Sequence, residues 1–408
     1  MASKAYQIAF DGNTVDDDFY GDVVSLIVEE NTATSNTLQL QLRSRQQEDG
    51  SWGYLDDDRL ALFNRVTVKI GFTGGGGLAA ALGSLLGGGD SNDALSAVFD
   101  GYVTSVNLNV GSQPSSTTLE VGGMDTGILL SLEEKIAAWP NMADSDIVQQ
   151  ILGDYGVEVK ADTTATVHQE SDTTTLQRGA DIQFIRELAR RNGLEFYFET
   201  DDASGVVTGF FQAPQLGGTP QQDLAIQFGD QSNLKSFSAH LSGHRPLNVK
   251  AQQMDVKANS PNEGKAADTI LTKLGDKDAN TLIGGPLGSL VTPKDAPAQM
   301  LILGSPSSDP AELKTMAQAV RDEAAWLISA TGEINSDAYQ AVLRPHRLVL
   351  VKGAGKAFSG KYYVTRVAHE IKADGSYTQK FEARRNARDL DGSEQFGGGG
   401  LGLSIPGI

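Results

Sequence analysis

The sequence predicts a mainly β fold of the α+β class, with two similar β-barrel domains and associated α/β domains. Hydrophobic residues alternate with period two over most of the first 125 residues and again after residue 205. Helical periodicity is confined to three stretches, near residues 144–153, 179–192 and 309–328. At 408 residues the chain exceeds what one hydrophobic core usually holds, so about two to four domains are expected.

In the N-terminal region Val23, Ser25 and Ile27 alternate with Val24, Leu26 and Val28, and Leu38, Leu40, Leu42 and Val66, Val68, Ile70 repeat the pattern. Turn residues at Asp11-Gly12, Glu48-Asp49-Gly50 and Gly53 break these strands into a meander that curls into a first barrel over residues 1–125. An insertion at 71–97 places Gly74–Gly77 and Gly87–Gly89 around an Ala/Leu-rich piece; a plain hairpin tip and a segment packing on a neighbouring subunit both fit it. Strands resume at Val98–Val106 and Thr117–Val121.

An α/β domain follows over residues 126–204. Asp144 or Ser145 caps a helix whose Ile147, Val148, Ile151 and Leu152 share one face, and Gly153 ends it. A second helix, about Gly179–Asn192, groups Ile182, Ile185, Leu188 and Ala189, stops at Gly193 and delivers the strand Leu194–Phe198. Residues 205–255 and 340–390 read as a second barrel, with strands at 205–212, 224–228, 234–241, 247–254, 341–351, 361–371 and 377–385, the last two joined at Asp374-Gly375. An echo between the strand ends Met124-Asp125 and Met254-Asp255, each preceded by a Pro-containing turn, fits either duplication or coincidence. Residues 256–339 form an inserted α/β or helical region. In it Asp309 is an N-cap, Pro310 the first helical residue and Glu312 the partner in a capping box, with Leu313, Met316, Ala317, Val320, Ala324, Leu327 and Ile328 as the buried stripe. Residues 391–408 are a Gly-rich tail ending in Leu401, Leu403, Ile405 and Ile408.

Composition narrows the function classes. With 33 Lys plus Arg against 52 Asp plus Glu, a net charge of −19 and no basic run, the chain has no footprint for nucleic acid. The lack of cysteine excludes disulfides, thiolate metal sites and cysteine nucleophiles. The N-terminus has no signal-peptide apolar core, and no apolar span is long enough to cross a membrane as a helix, so cytoplasmic synthesis is expected.

Motifs for chemistry are weak. Gly355–Lys361 has the spacing of a phosphate loop but puts Tyr362 where a magnesium-binding Ser or Thr belongs, and it leads into a strand instead of a helix. His240 and His244 have zinc-ligand spacing only if helical, and their surroundings read as strand and turn. The runs Asp16–Asp18 and Asp56–Asp58 lack the spaced ligands of a calcium loop and read as solvated turns. No Gly-x-Ser-x-Gly elbow is present, and none of the 52 acids is singled out as a glycosidase pair. No catalytic, cofactor-binding or metal residue is therefore assigned, and a binding or assembly protein is expected.

Four stretches carry a resemblance. Gln177-Arg-Gly-Ala-Asp-Ile-Gln-Phe-Ile-Arg-Glu-Leu-Ala-Arg-Arg-Asn-Gly-Leu-Glu-Phe-Tyr-Phe198 is similar to the helix-to-strand segment of phage late control protein D and of VgrG proteins. Asp100–Val106 resembles the family's outer strand, Trp139–Val148 with Tyr155-Gly156 its following helix, and Tyr363–Glu370 with Tyr377 and Phe381–Asn386 its closing hairpin. The resemblance spans about residues 98–386. It implies a structural baseplate hub of a contractile, phage-tail-like injection system, synthesised in the bacterial cytoplasm and assembled into the particle. It also implies a homotrimer whose two barrels per chain make a ring of six similar domains, an adaptor between a hexameric tail tube and a trimeric spike. No cofactor is implied. Unlike VgrG proteins the sequence does not continue into a spike, so a separate spike protein is the expected partner beside the tube and other baseplate components. The tail residues Leu401, Leu403, Ile405 and Ile408 either dock on that spike or a neighbouring subunit, or have no task. The rival readings are a tip-associated cell-wall hydrolase and a carbohydrate-binding β protein, the latter needing exposed aromatics that three Trp hardly supply.

Overall fold

The first half of the main sheet is built from Ser3–Phe10 (β1), Val23–Asn31 (β2), Thr37–Arg43 (β3), Arg65–Thr73 (β4), Ser96–Asn109 (β5) and Thr118–Asp125 (β6). They hydrogen-bond in the order β2-β3-β6-β5-β4-β1 and curl as a half-barrel. The period-two pattern explains why: in β3 Leu38, Leu40 and Leu42 are buried while Gln39 and Arg43 face solvent. Each such leucine contributes roughly 1.5–3 kcal/mol of burial. Here, and below, the chain is described from a computed structural model covering residues 3–73, 95–113, 116–168, 170, 174–255, 258–290, 299–303, 309–392 and 394. Most of the 71–97 insertion and the apolar tail with Leu401, Leu403, Ile405 and Ile408 lie outside the described residues.

The α/β unit comprises Glu134–Trp139 (β7), Asp144–Asp154 (α1), Glu158–Ala161 (β8), Thr175–Ala180 (β9), Asp181–Asn192 (α2), Glu195–Thr200 (β10) and Val207–Gln212 (β11). β11 runs between β8, to which it is parallel, and β10, to which it is antiparallel. Ile147, Val148, Ile151 and Leu152 of α1 meet Ile182, Ile185, Leu188 and Ala189 of α2 in one core with Phe196 and Phe211. Gly193 ends α2 in the left-handed region at φ 71°, where a Cβ is disfavoured, and its N–H closes on the carbonyls of Ala189 and Arg190. The start of α1 differs from expectation. Neither Asp144 nor Ser145 is the N-cap, because α1 begins at Asp144 behind Ala143 and the orphan N–H of Ser145 donates to Thr164 Oγ1 at 3.0 Å.

The second half opens with Gln221–Ala225 (β12) and Leu234–Leu241 (β13). An insertion then supplies Asn248–Asp255 (β14), Ser260–Ala266 (β15), Gln299–Leu303 (β16) and the helix Pro310–Ala324 (α3), and the sheet resumes with Ile328–Asn335 (β17), Leu348–Lys352 (β18), Gly360–Lys372 (β19) and Tyr377–Arg385 (β20). The neighbour order is β13-β17-β20-β19-β18-β12. Three sequence assignments change. Val207–Gln212, grouped with the second barrel, lies between β8 and β10 and belongs to the α/β unit, where Phe211 enters its core. Asn248–Asp255, grouped with the second barrel, pairs with β15 and β16 in a separate three-stranded sheet under α3. The stripe of α3 stops at Ala324, and Ile328, expected on that stripe, opens a strand of the main sheet within the stretch assigned to the inserted region; the helical spacing of Leu327 and Ile328 is a coincidence of a helix running into a buried strand.

The two halves repeat one another. Their six strands follow one chain order and, with one exception, one pairing scheme. Tyr102-Val-Thr-Ser-Val106 in β5 corresponds to Tyr363-Val-Thr-Arg-Val367 in β19. Each segment bulges at its threonine, between Val103 and Ser105 and between Val364 and Arg366. Thr104 Oγ1 donates to the Gly122 carbonyl at 3.2 Å, and Thr365 Oγ1 to the Glu382 carbonyl at 3.2 Å. A second bulge recurs between Val23 and Ser25 of β2 and between Leu234 and Ser236 of β13. The exception is the outermost strand, antiparallel in β1 against β4 and parallel in β12 against β18. The repeat therefore lies elsewhere than the echo at Met124 and Met254, since Met254 sits in the inserted sheet.

β2 and β19 join the halves into one continuous sheet, Ser25–Asn31 lying antiparallel to Arg366–Lys372. The insertion is held by a close approach: a Cβ on Gly264 of β15 would lie 2.1 Å from the Lys314 backbone nitrogen of α3. Gly264→Val is expected to push α3 off its sheet and to destabilise the chain by about 1–3 kcal/mol, read as a lower urea midpoint.

Candidate assembly interface

At each junction between units a buried or nearly buried carboxylate meets an arginine. Behind the β2–β19 seam, Glu30 accepts from Arg344 Nε at 2.9 Å and faces His369 Nε2 at 3.1 Å, while His369 Nδ1 meets the Tyr377 hydroxyl at 2.8 Å. Burial pushes the Glu30 carboxyl up, but the Arg344 guanidinium and His369 outweigh it and hold the group below its ordinary range. On the solvent side Arg366 forks onto Glu29 at 2.6 and 3.3 Å and reaches Glu382 at 2.9 Å.

The α/β unit meets the second half at Glu195, the first residue of β10. Its carboxylate accepts from the Tyr363 hydroxyl at 2.5 Å and Arg384 Nη2 at 2.9 Å, and lies 3.3 Å from His346 Nδ1. His346 stacks on Tyr197 and adopts φ 59°, a left-handed conformation that this packing must hold in place. Arg384 also lies 4.2 Å over the Trp326 ring. Toward the first half, Arg65 forks onto Asp100 at 2.8 and 2.6 Å, Thr200 donates to the same carboxylate at 3.2 Å, and Asp202 accepts from the Ala97 amide at 2.6 Å.

A further cluster ties the α/β unit to the insertion. Asp144 of α1 accepts from Arg191 and from Asn192 Nδ2 at 2.6 Å. Burial opposes its ionisation, yet His168, Arg191 and Asn192 hold its carboxyl down at about 2. Glu312 completes no capping box. Asp309 does cap α3, through the Ala311 amide at 3.0 Å, but Glu312 turns inward and stands 3.6 Å from Arg191 Nη1 and 3.8 Å from His168 Nδ1. Sequence reading missed these clusters because partners such as Glu30 and Arg344 are hundreds of residues apart.

The weak motifs resolve into structural parts. Gly355–Phe358 forms one helical turn, and Gly360 lies under the guanidinium of Arg385, which donates to the carbonyls of Leu274, Ser359 and Asp389. His240 and His244 are both exposed, His240 on β13 and His244 on the connection after it. Asp16 and Asp57 cap short helical turns. Among the described residues no group of three or more His, Asp or Glu is arranged to hold a metal ion. An open cleft of about 600 Å³ between α2, α3, β10 and β20 is lined by Arg186, Arg190, Arg245 and Arg384 together with Glu195 and Glu323. Its opposed charges partly pair, as Arg384 does with Glu323 at 3.0 Å.

Replacing Glu30 by Ala leaves Arg344 and His369 buried without their carboxylate. A loss of about 3–5 kcal/mol is expected, measured by urea unfolding near neutral pH. Because the folded-state pKa is depressed, this contribution is complete above the ordinary value of 4.5 and is lost as the pH falls through the lower folded value. The gap between wild type and Glu30→Ala is thus expected to narrow on acidification through that window.

Among curated proteins, no sequence matches the chain. In fold it is similar to the 43 kDa tail protein of prophage MuSo2 from Shewanella oneidensis, at 12% identity and a TM-score of 0.62 over 95% of this chain and 100% of that one. It is also similar to the tail protein from Neisseria meningitidis MC58, at 10% identity and a TM-score of 0.61 over 94% and 97%. A third likeness, at 15% identity and a TM-score of 0.52 over 89% and 73%, is to the E. coli c3393 protein, a component of the type VI secretion system described as structurally similar to the T4 tail proteins gp27 and gp5. The half-barrel sheet with its α/β units is thus a fold shared with phage tail proteins, as the late control protein D and VgrG resemblance implied. The model of the Alg8 N-terminal domain matches residues 88–373. With well over half of its length matched, the chain belongs to the Alg8 N-terminal domain family.

Proposed function

We propose that the chain is a non-enzymatic structural hub of a contractile, phage-tail-like particle, a homotrimer that adapts a hexameric tail tube to a trimeric spike. The observation that carries this reading is the internal repeat joined edge to edge by β2 and β19. Three copies of a chain with two equivalent half-barrels present six equivalent units to a tube while keeping threefold symmetry toward a spike. The fold shared with phage tail proteins and with a type VI secretion component supports the same role.

The work of such a part is mechanical, and the junction clusters suit it. Each fixes one unit against another through charge-assisted hydrogen bonds with defined geometry, which resist sliding better than apolar contact alone. A hub that travels with tube and spike has to transmit force without shear between its own units.

Light scattering across a concentration series, with and without the candidate spike protein, tests the reading. A trimer, formed alone or on adding the spike, is expected. A monomer that ignores the spike overturns the hub, and release of peptidoglycan fragments by the purified chain overturns the non-enzymatic assignment in favour of a cell-wall hydrolase.

A further inference from the structure

Several strand edges of the main sheet, β12 and β1 before Ala9 among them, have no partner strand among the described residues, and two of these belong to the equivalents of the seam strands β2 and β19. β13 pairs only with β17, and beyond Val103 the edge of β5 that faces away from β6 has no strand beside it. Unpaired edges invite association, and proteins usually blunt them with charge, proline or a covering element. Over the segments that correspond to the internal seam neither is blunted in that way: Ser105–Val110 and Ser236–Leu241 contain no Asp, Glu, Lys, Arg or Pro, in a chain that is 21% charged, and the one lysine of β13, Lys235, precedes that segment.

The repeat says what these edges fit. β13 is the equivalent of β2, and β5 is the equivalent of β19, with shared bulges fixing the register. Since β2 pairs with β19 inside the chain, we infer that β13 pairs with β5 of a second copy, antiparallel and in the same register, so that residues 105–110 of one copy face residues 242–237 of the next. This rests on the trimeric reading above and supplies its subunit contact. Three such contacts alternate with three internal β2–β19 seams and close the ring.

Side-chain chemistry agrees with that register. At the internal seam one row is fully buried: Leu26, Val28 and Glu30 of β2 with Val367, His369 and Ile371 of β19. The equivalent row at the free edges is Phe237, Ala239 and Leu241 with Val106, Leu108 and Val110, all apolar. In the single chain five of these are only half-buried, and Val110 is 61% exposed. Pairing would bury that row as the internal seam is buried. The other row sets Asn107 against His240 and Asn109 against Ser238, exposed polar groups on both sides.

The chain lacks cysteine, so introduced thiols report the register directly. Asn107→Cys with His240→Cys places one thiol on each edge, and opposed Cα atoms in an antiparallel pair lie about 4.5–5.5 Å apart, within disulfide reach. Mild oxidation in the presence of the spike is expected to give a covalent trimer, roughly tenfold faster than the shifted pair Asn107→Cys with Ser238→Cys, whose Cα atoms lie about two residues out of register. Thermal unfolding matching wild type verifies that both variants are folded. A trimer by light scattering that crosslinks no better in the first pair than in the second overturns this register and leaves the hub reading standing. A monomer that neither crosslinks nor binds the spike overturns both.

Discussion

The architecture depends on one antiparallel contact, Ser25–Asn31 against Arg366–Lys372. Without it the chain would be two half-barrels, each with an apolar face and an open edge. With it the backbone groups of both edges are satisfied, with Leu26, Val28 and Ile371 buried in the core of the first half and Val367 in that of the second. Glu30 and His369 are buried at the same seam. Their burial is tolerable because Arg344 and Tyr377 satisfy the remaining hydrogen-bonding capacity, so a seam between distant parts of the sequence is specified as well as stable.

Strand and helix content was legible in the sequence wherever one face alone decides burial. Leu38, Leu40 and Leu42, and the α2 stripe ending at Gly193, are of that kind. Reading failed where tertiary neighbours override pattern. Ile328–Asn335 is a central strand whose polar Ser329 and Glu333 and central Gly332 hide its alternation, and its strand character comes from pairing with β13 and β20. The inserted sheet has the opposite problem. Asn248–Asp255 alternates like any strand, and nothing local tells which sheet it joins.

The junction clusters were illegible for a related reason. Glu30 ends an apolar run and looks like an ordinary solvent-facing residue, and Glu312 sits three residues after an N-cap, where a capping box is the local expectation. Both are buried because a cation from another unit arrives beside them, a fact of assembly between units and not of local propensity. The repeat itself was readable in the Tyr-Val-Thr-x-Val pair, but the strongest evidence is the shared bulge, which only pairing registers reveal.

The internal seam and the free edges differ in a way that bears on assembly. The seam buries a carboxylate with its counter-ions, whereas the equivalent positions at the edges, Leu241 and Leu108, are apolar. A seam formed once, as the chain folds, can carry buried ions whose partners are supplied by the same chain. An edge that meets another subunit later would have to desolvate any charge it carried, which apolar residues avoid. The same difference discriminates between partners. If β2 of one copy met β5 of another, Glu30 would lie opposite Val106 with Leu108 in the place of His369, leaving one of its oxygens without a partner in an apolar row. In the proposed ring the charged edges are matched inside each chain and the apolar ones between chains, so exchange of the two pairings is disfavoured by the distribution of buried charge between two otherwise equivalent contacts.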